Sequence, residues 1–130
     1  MKIDKILVQL AGAFFLAYGF MFALDPELFS NMVTDSVPST SSGLIDMRAT
    51  YGGMSIAVGC LMLLLASNAT SLKLGLISVA LVLLGMACTR TIGIIVDGNP
   101  NNLMYIYLVA ELVPSIIAIA LYRRLPRPYA

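Results

Sequence analysis

Four apolar stretches, Ile6 to Leu24, Ile45 to Ala66, Leu72 to Val96 and Leu103 to Tyr122, fill most of this 130-residue chain. About 20 apolar residues in a row are what an α-helix needs to cross a hydrocarbon layer of roughly 30 Å. Only 12% of the residues are charged and 59% are hydrophobic, whereas a soluble domain carries about 25% charged residues. The spacing predicts an all-α protein: a four-helix transmembrane bundle threaded up-down-up-down, one integral membrane domain over residues 1–130. The spans are expected at about 6–24, 45–66, 72–96 and 103–122, with a short interfacial segment at about 26–34.

Three charges sit where such spans should have none: Arg48, Arg90 and Glu111. An ionisable group inside a span is costly enough that it normally pairs, faces a polar cavity or serves a mechanism. Any function is to be sought around them.

Several chemistries fall away on residue content. The chain has no histidine, which removes the commonest general base, transition-metal ligand and haem axial group, so no metal site and no cofactor is expected. Cys60 and Cys88 form no CxxC unit, and antiparallel threading puts them at levels roughly 10 Å apart, beyond the ~7 Å Cα limit for a disulfide. Met47, Met54 and Met62 are spaced as packing residues rather than as a copper site. Gly52-Gly53 lacks the strand, spacing and lysine of a phosphate loop. The basic run Arg123-Arg124-Leu125-Pro126-Arg127 is too short for nucleic acid and suits anionic lipid heads.

Charge asymmetry gives an orientation. Lys2, Lys5, Lys73, Arg123, Arg124 and Arg127 fall at alternate ends of the spans, while the other loops carry Asp25, Glu27, Asp35, Asp46 and Asp97. The positive-inside rule then puts both termini in the cytoplasm, in a bacterial inner membrane. The N-terminal apolar run is too long for a signal-peptide core of about 7 to 15 residues and lacks a small-x-small site, so it is expected to stay as the first helix.

Along the chain, Gly12, Gly19 and Ala23 make one small-residue face of the first helix, suited to close helix approach. Asp25-Pro26 reads as a cap and first residue, with Leu28, Phe29, Met32 and Val33 sharing a membrane-surface face. Residues 36–43 form a polar linker. Arg48, Gly52, Ser55 and Gly59 then recur as a small or polar stripe on the second span, with Tyr51 beside Arg48. Arg90, Gly93 and Asp97 share a face of the third span. Asn99-Pro100 reads as the cap and start of the fourth, where Tyr107, Glu111 and Ser115 align.

Counted along the helices, Arg90 lies roughly 9 Å and Glu111 roughly 13 Å from the same end of their spans, and the short hairpin between them makes those spans antiparallel neighbours. Arg48 enters from that end at shallower depth. One polar cluster of Arg48, Tyr51, Arg90, Asp97, Tyr107 and Glu111 is therefore expected in the outer half. Two arginines against one glutamate would leave a locally positive cavity for an anionic or carbonyl-bearing head group. The plainer reading is an Arg–Glu pair that only fixes helix register.

The blocks Asp46-Met47-Arg48-Ala49-Thr50-Tyr51-Gly52-Gly53 and Thr89-Arg90-Thr91-Ile92-Gly93, the latter leading to Asp97-Gly98-Asn99-Pro100, together with Asp25-Pro26 and Glu111, give the chain a recognisable order. It resembles an uncharacterised bacterial family of small membrane proteins, the domain-of-unknown-function family numbered 4345, over nearly its whole length. The resemblance implies a four-helix membrane protein and supplies no activity, cofactor or catalytic residue.

The function expected is non-enzymatic: a small membrane protein that binds an amphipathic molecule such as a lipid or quinone, or acts as an accessory subunit. Its partners would be the bilayer, further copies of itself or a larger membrane complex, and no nucleic acid. Two rivals stand beside it: an oligomeric proton-coupled transporter using Glu111, and a membrane-embedded enzyme with Glu111 as acid or base.

Overall fold

A computed structural model of the chain describes residues 2–125. It is all helical. α1 spans Lys2–Leu24 and α2 Pro26–Thr34; α3, Ser41–Ser67, is one continuous apolar helix, followed by α4, Leu72–Asp97, and α5, Asn102–Arg124. α1, α3, α4 and α5 are each long and apolar enough to cross a membrane. Their large side chains point outward in number: Leu64 and Leu81 are each 68% exposed and Ile95 76%. Apolar surface on this scale is stable only against lipid, so the protein is an integral membrane bundle. Residues Pro126 and Arg127 of the basic run lie outside the described residues.

The helices associate as two close pairs, α1 with α3 and α4 with α5, joined by lighter contacts of α4 with α1 and α3. Small residues make the first pair. A Cβ placed on Gly12 would stand 3.0 Å from the Gly59 carbonyl oxygen, and one on Gly19 would stand 2.7 Å from that of Gly52. Both contacts lie on the small-residue stripes of α1 and α3, seven residues apart on each helix, which fixes their antiparallel register. In lipid, where no hydrophobic drive separates helix from solvent, such close backbone approach supplies the packing energy.

A continuous core of Val8, Phe15, Met62, Ala66, Leu72, Leu76, Val79, Leu83 and Ala118 fills the half of the bundle near the two chain ends and the α3–α4 loop. Lys73 lies over the Tyr122 ring at that end, 5.0 Å from its centroid. The opposite half holds the buried Glu111 and the cavities.

Local signals set the boundaries there. Asp25 Oδ1 accepts from the Leu28 amide at 3.0 Å with Pro26 in the first turn, so α2 starts where its cap demands. Its apolar face is divided, however: Val33 is buried, while Leu28 and Met32 are 51% and 55% exposed. α2 thus turns one edge into the bundle instead of laying all four residues on the membrane. α3 begins earlier than its apolar pattern indicates, because the Thr40 hydroxyl accepts from the Gly43 amide at 3.2 Å and caps a helix from Ser41. The turn Arg48–Gly53 is widened to a π-helix, with the Met54 amide reaching the Ala49 carbonyl. A turn of this kind is rare and tends to occur where a helix must re-aim side chains.

The start of α5 also differs from expectation. Gly98 and Asn99 take φ of 67° and 48°, left-handed conformations that glycine and asparagine tolerate, and they end α4. Asn101, not Asn99, then caps α5, its Oδ1 accepting from the Met104 amide at 3.2 Å. Pro100 falls in the loop. The Asn101 side-chain amide donates to the Val33 carbonyl at 3.1 Å and to Asp35 Oδ2 at 2.7 Å, which pins the end of α2 to the start of α5.

Candidate functional site

Arg90 and Glu111 meet between α4 and α5. Arg90 Nε donates to Oε1 and Oε2 of Glu111 at 3.1 and 3.0 Å, and Nη2 donates to Oε1 at 2.5 Å. Both carboxylate oxygens are therefore held by one guanidinium. Glu111 is 4% exposed. Such a charge is tolerable in a span only when fully paired, and the fork geometry of arginine supplies the pairing.

Glu111 reaches this position because Met104, Tyr107 and Glu111 recur at i, i+3 and i+7 on α5, one stripe that faces α4. Arg90 uses that whole stripe. Its Nη1 points at the Met104 sulfur, 3.2 Å away, and its guanidinium lies over the Tyr107 ring at 5.2 Å from the centroid. Ser115, the next residue of the stripe, is fully buried but turns its hydroxyl to its own helix, donating to the Leu112 carbonyl at 2.8 Å.

Of the other members of the expected cluster, Arg48 and Tyr51 take different partners. Arg48 Nη1 donates to the carbonyls of Ala23 and Leu24, the latter at 3.0 Å. The last carbonyls of a helix lack amide partners and carry the negative end of its dipole, so the C-terminus of α1 offers Arg48 a nearer acceptor than Glu111. Tyr51 stacks on Phe22, 5.2 Å between centroids and 27° between planes. Asp97 is exposed at the edge of the groove beside Arg90. With Arg48 absent, the excess positive charge expected of the cavity is absent too: Arg90 and Glu111 balance one another.

Two cavities flank the pair. An open groove of about 270 Å³ is lined by Arg90, Gly93, Ile94, Asp97, Pro100 and Met104. A more enclosed chamber of about 130 Å³ lies between α1, α2 and α5, walled by Tyr18, Phe22, Phe29, Val33, Leu103 and Tyr107. Arg90 borders the groove and Tyr107 the chamber, so the stacked Arg90–Tyr107 contact stands between the two.

Residue types and spacing did not single out Met104 or Tyr18. Met104 could have been found as the first member of the α5 stripe. Tyr18 lies within electrostatic reach of Tyr51, Arg90, Tyr107 and Glu111, yet it comes from the other helix pair, and only the packing of α1 against α4 and α5 brings it there.

Comparison with known proteins adds a family and no function. None of the curated proteins and none of the solved structures matches the chain. The sequence pattern of an uncharacterised family matches residues 3–122, all four spans and both members of the ion pair. The chain belongs to the family described as Domain of unknown function (DUF4345).

Proposed function

We propose that this integral membrane protein is a non-enzymatic binding protein for an amphipathic molecule with a neutral, carbonyl-bearing head group. The orientation proposed with it has both termini on the cytoplasmic side of a bacterial inner membrane, from the lysines and arginines at the terminal end.

One observation carries the reading: a guanidinium that is already neutralised by a buried glutamate still borders an open groove. Nε and Nη2 each give an N–H to Glu111 and Nη1 gives one to the Met104 sulfur, which leaves two of the five N–H groups for an acceptor in the groove. An anion would meet no surplus charge here and would face Asp97 besides. A carbonyl oxygen needs only the donors. Arg90 lies roughly 10 Å inside the end of α4 at 1.5 Å per residue, a depth at which the carbonyls of lipid esters or of a quinone ring can reach it while an apolar tail stays in the acyl layer. Glu111 suits proton transport or acid–base catalysis less well, because both its oxygens are engaged by Arg90.

Gly93 gives the test, since a Cβ there meets nothing closer than Asp97 Oδ2 at 3.6 Å and a larger side chain would occupy the groove. Native mass spectrometry of gently extracted protein is expected to show a copurifying lipid or quinone on the wild type, depleted at least severalfold on Gly93→Leu. A wild type that carries none, or equal loading of the two proteins, would overturn the reading.

A further inference from the structure

The chamber between α1, α2 and α5 is a second cavity that shares no lining residue with the groove. Its volume of about 130 Å³ is close to that of an apolar cavity of about 150 Å³ that stays dry and takes benzene. Its walls are aromatic on three sides. Tyr18 and Phe22 lie 4.9 Å apart with planes at 39°, and Phe22 and Phe29 lie 6.1 Å apart at 44°. These rings touch one another and, being tilted, present faces and edges to the chamber, against which a further ring can pack offset or edge-on.

Polar groups mark what kind of ring. Tyr18 and Tyr107 both border the chamber, and among the described residues neither hydroxyl is hydrogen-bonded. Both tyrosines are half-buried and neither hydroxyl is sealed from its surroundings, so each is open to a further hydrogen-bond partner. An alkyl chain end would fill the space and leave both hydroxyls as they are. A ring that carries oxygen would fill the space and bond them.

We propose that this chamber binds one six-membered ring bearing an oxygen substituent, a phenol- or quinone-type head. Tyr18 and Tyr107 provide its hydrogen bonds, and Phe22 and Phe29 its packing. α2 forms the roof through Phe29 and Val33 and is held down by the Asn101 contacts to Val33 and Asp35. The ring enters beside or beneath α2, and its size is limited to one ring by the volume.

The probes are 4-fluorophenol and 4-fluorotoluene, followed by fluorine NMR with protein in micelles against micelles alone. Saturable binding of 4-fluorophenol is expected, about fivefold tighter than that of 4-fluorotoluene, as one hydrogen bond would give. Tyr18→Phe with Tyr107→Phe should abolish that preference, and Leu103→Phe or, separately, Val33→Phe should abolish binding of both probes. Gly93→Leu, at a position that lines the groove and not the chamber, should leave the chamber's affinity unchanged, so failure here is distinguishable from failure of the groove. Absence of saturable binding, equal affinity for the two probes in the wild type, or retention of binding in both filled variants would each overturn the proposal.

Discussion

Gly19 of α1 lies against the backbone of Gly52 of α3 so closely that a Cβ on Gly19 would stand 2.7 Å from the Gly52 carbonyl oxygen and 2.7 Å from the Ile56 amide nitrogen. Those atoms belong to backbone and cannot move aside as a side chain would. Gly85, on α4, is the contrast: a Cβ there meets nothing within 4 Å.

Gly19→Ala is therefore expected to force α1 and α3 apart and to destabilise the bundle by about 1–3 kcal/mol, as overpacking of a close contact does. Gly85→Ala should be neutral or slightly stabilising, since alanine is the better helix former. Reversible unfolding in mixed micelles measures both. Equal stability of the two variants would show that the α1–α3 approach is not tight in the folded protein.

The contrast between these glycines also shows what the sequence made legible. The small stripes of α1 and α3 were visible as spacings, because helix periodicity puts residues four and three apart on one face. Arg90 and Glu111 were visible as well: a short hairpin and the fixed rise of a helix bring them to one level, and a charge in lipid has few other choices. Arg48 was not. Its depth was compatible with Glu111, and what decided its partner was the unpaired carbonyl end of α1 at Ala23 and Leu24, an acceptor that exists only once α1 is folded and packed on α3. The chamber was hidden for a like reason. Tyr18, Phe29 and Tyr107 come from three helices, and no spacing within one helix relates them.

Arg48 acts as a cap on α1 supplied from another helix, and its removal is expected to loosen the junction between α1 and α2. Arg48→Ala should cost about 1.5–3 kcal/mol, the range for hydrogen bonds made by a charged group. Arg48→Lys should restore part of it, because one ammonium nitrogen can donate to both carbonyls as Nη1 does, while its shorter stem and stronger hydration weaken the contact. Hydrogen exchange should show faster exchange across residues 21–29 in the alanine variant, and ligand loading at the groove should be unaffected. Loss of loading with unchanged exchange would instead place Arg48 at the groove.

The pairing of Arg90 with Glu111 predicts a pattern that a solvated pair would not give. Removing one partner strands a charge among apolar helices, so Glu111→Ala and Arg90→Ala should each destabilise by about 3–5 kcal/mol. A double variant with Arg90→Met and Glu111→Leu removes both charges while keeping volume, and such replacements are commonly neutral. It should recover most of the lost stability while losing the ligand of the groove, since the donors go with Arg90. Denaturant unfolding and native mass spectrometry on the same four proteins separate the two effects. If the double variant keeps its ligand, the pair only sets helix register; if the single variants are as stable as the wild type, water reaches the pair and its charges need no partner.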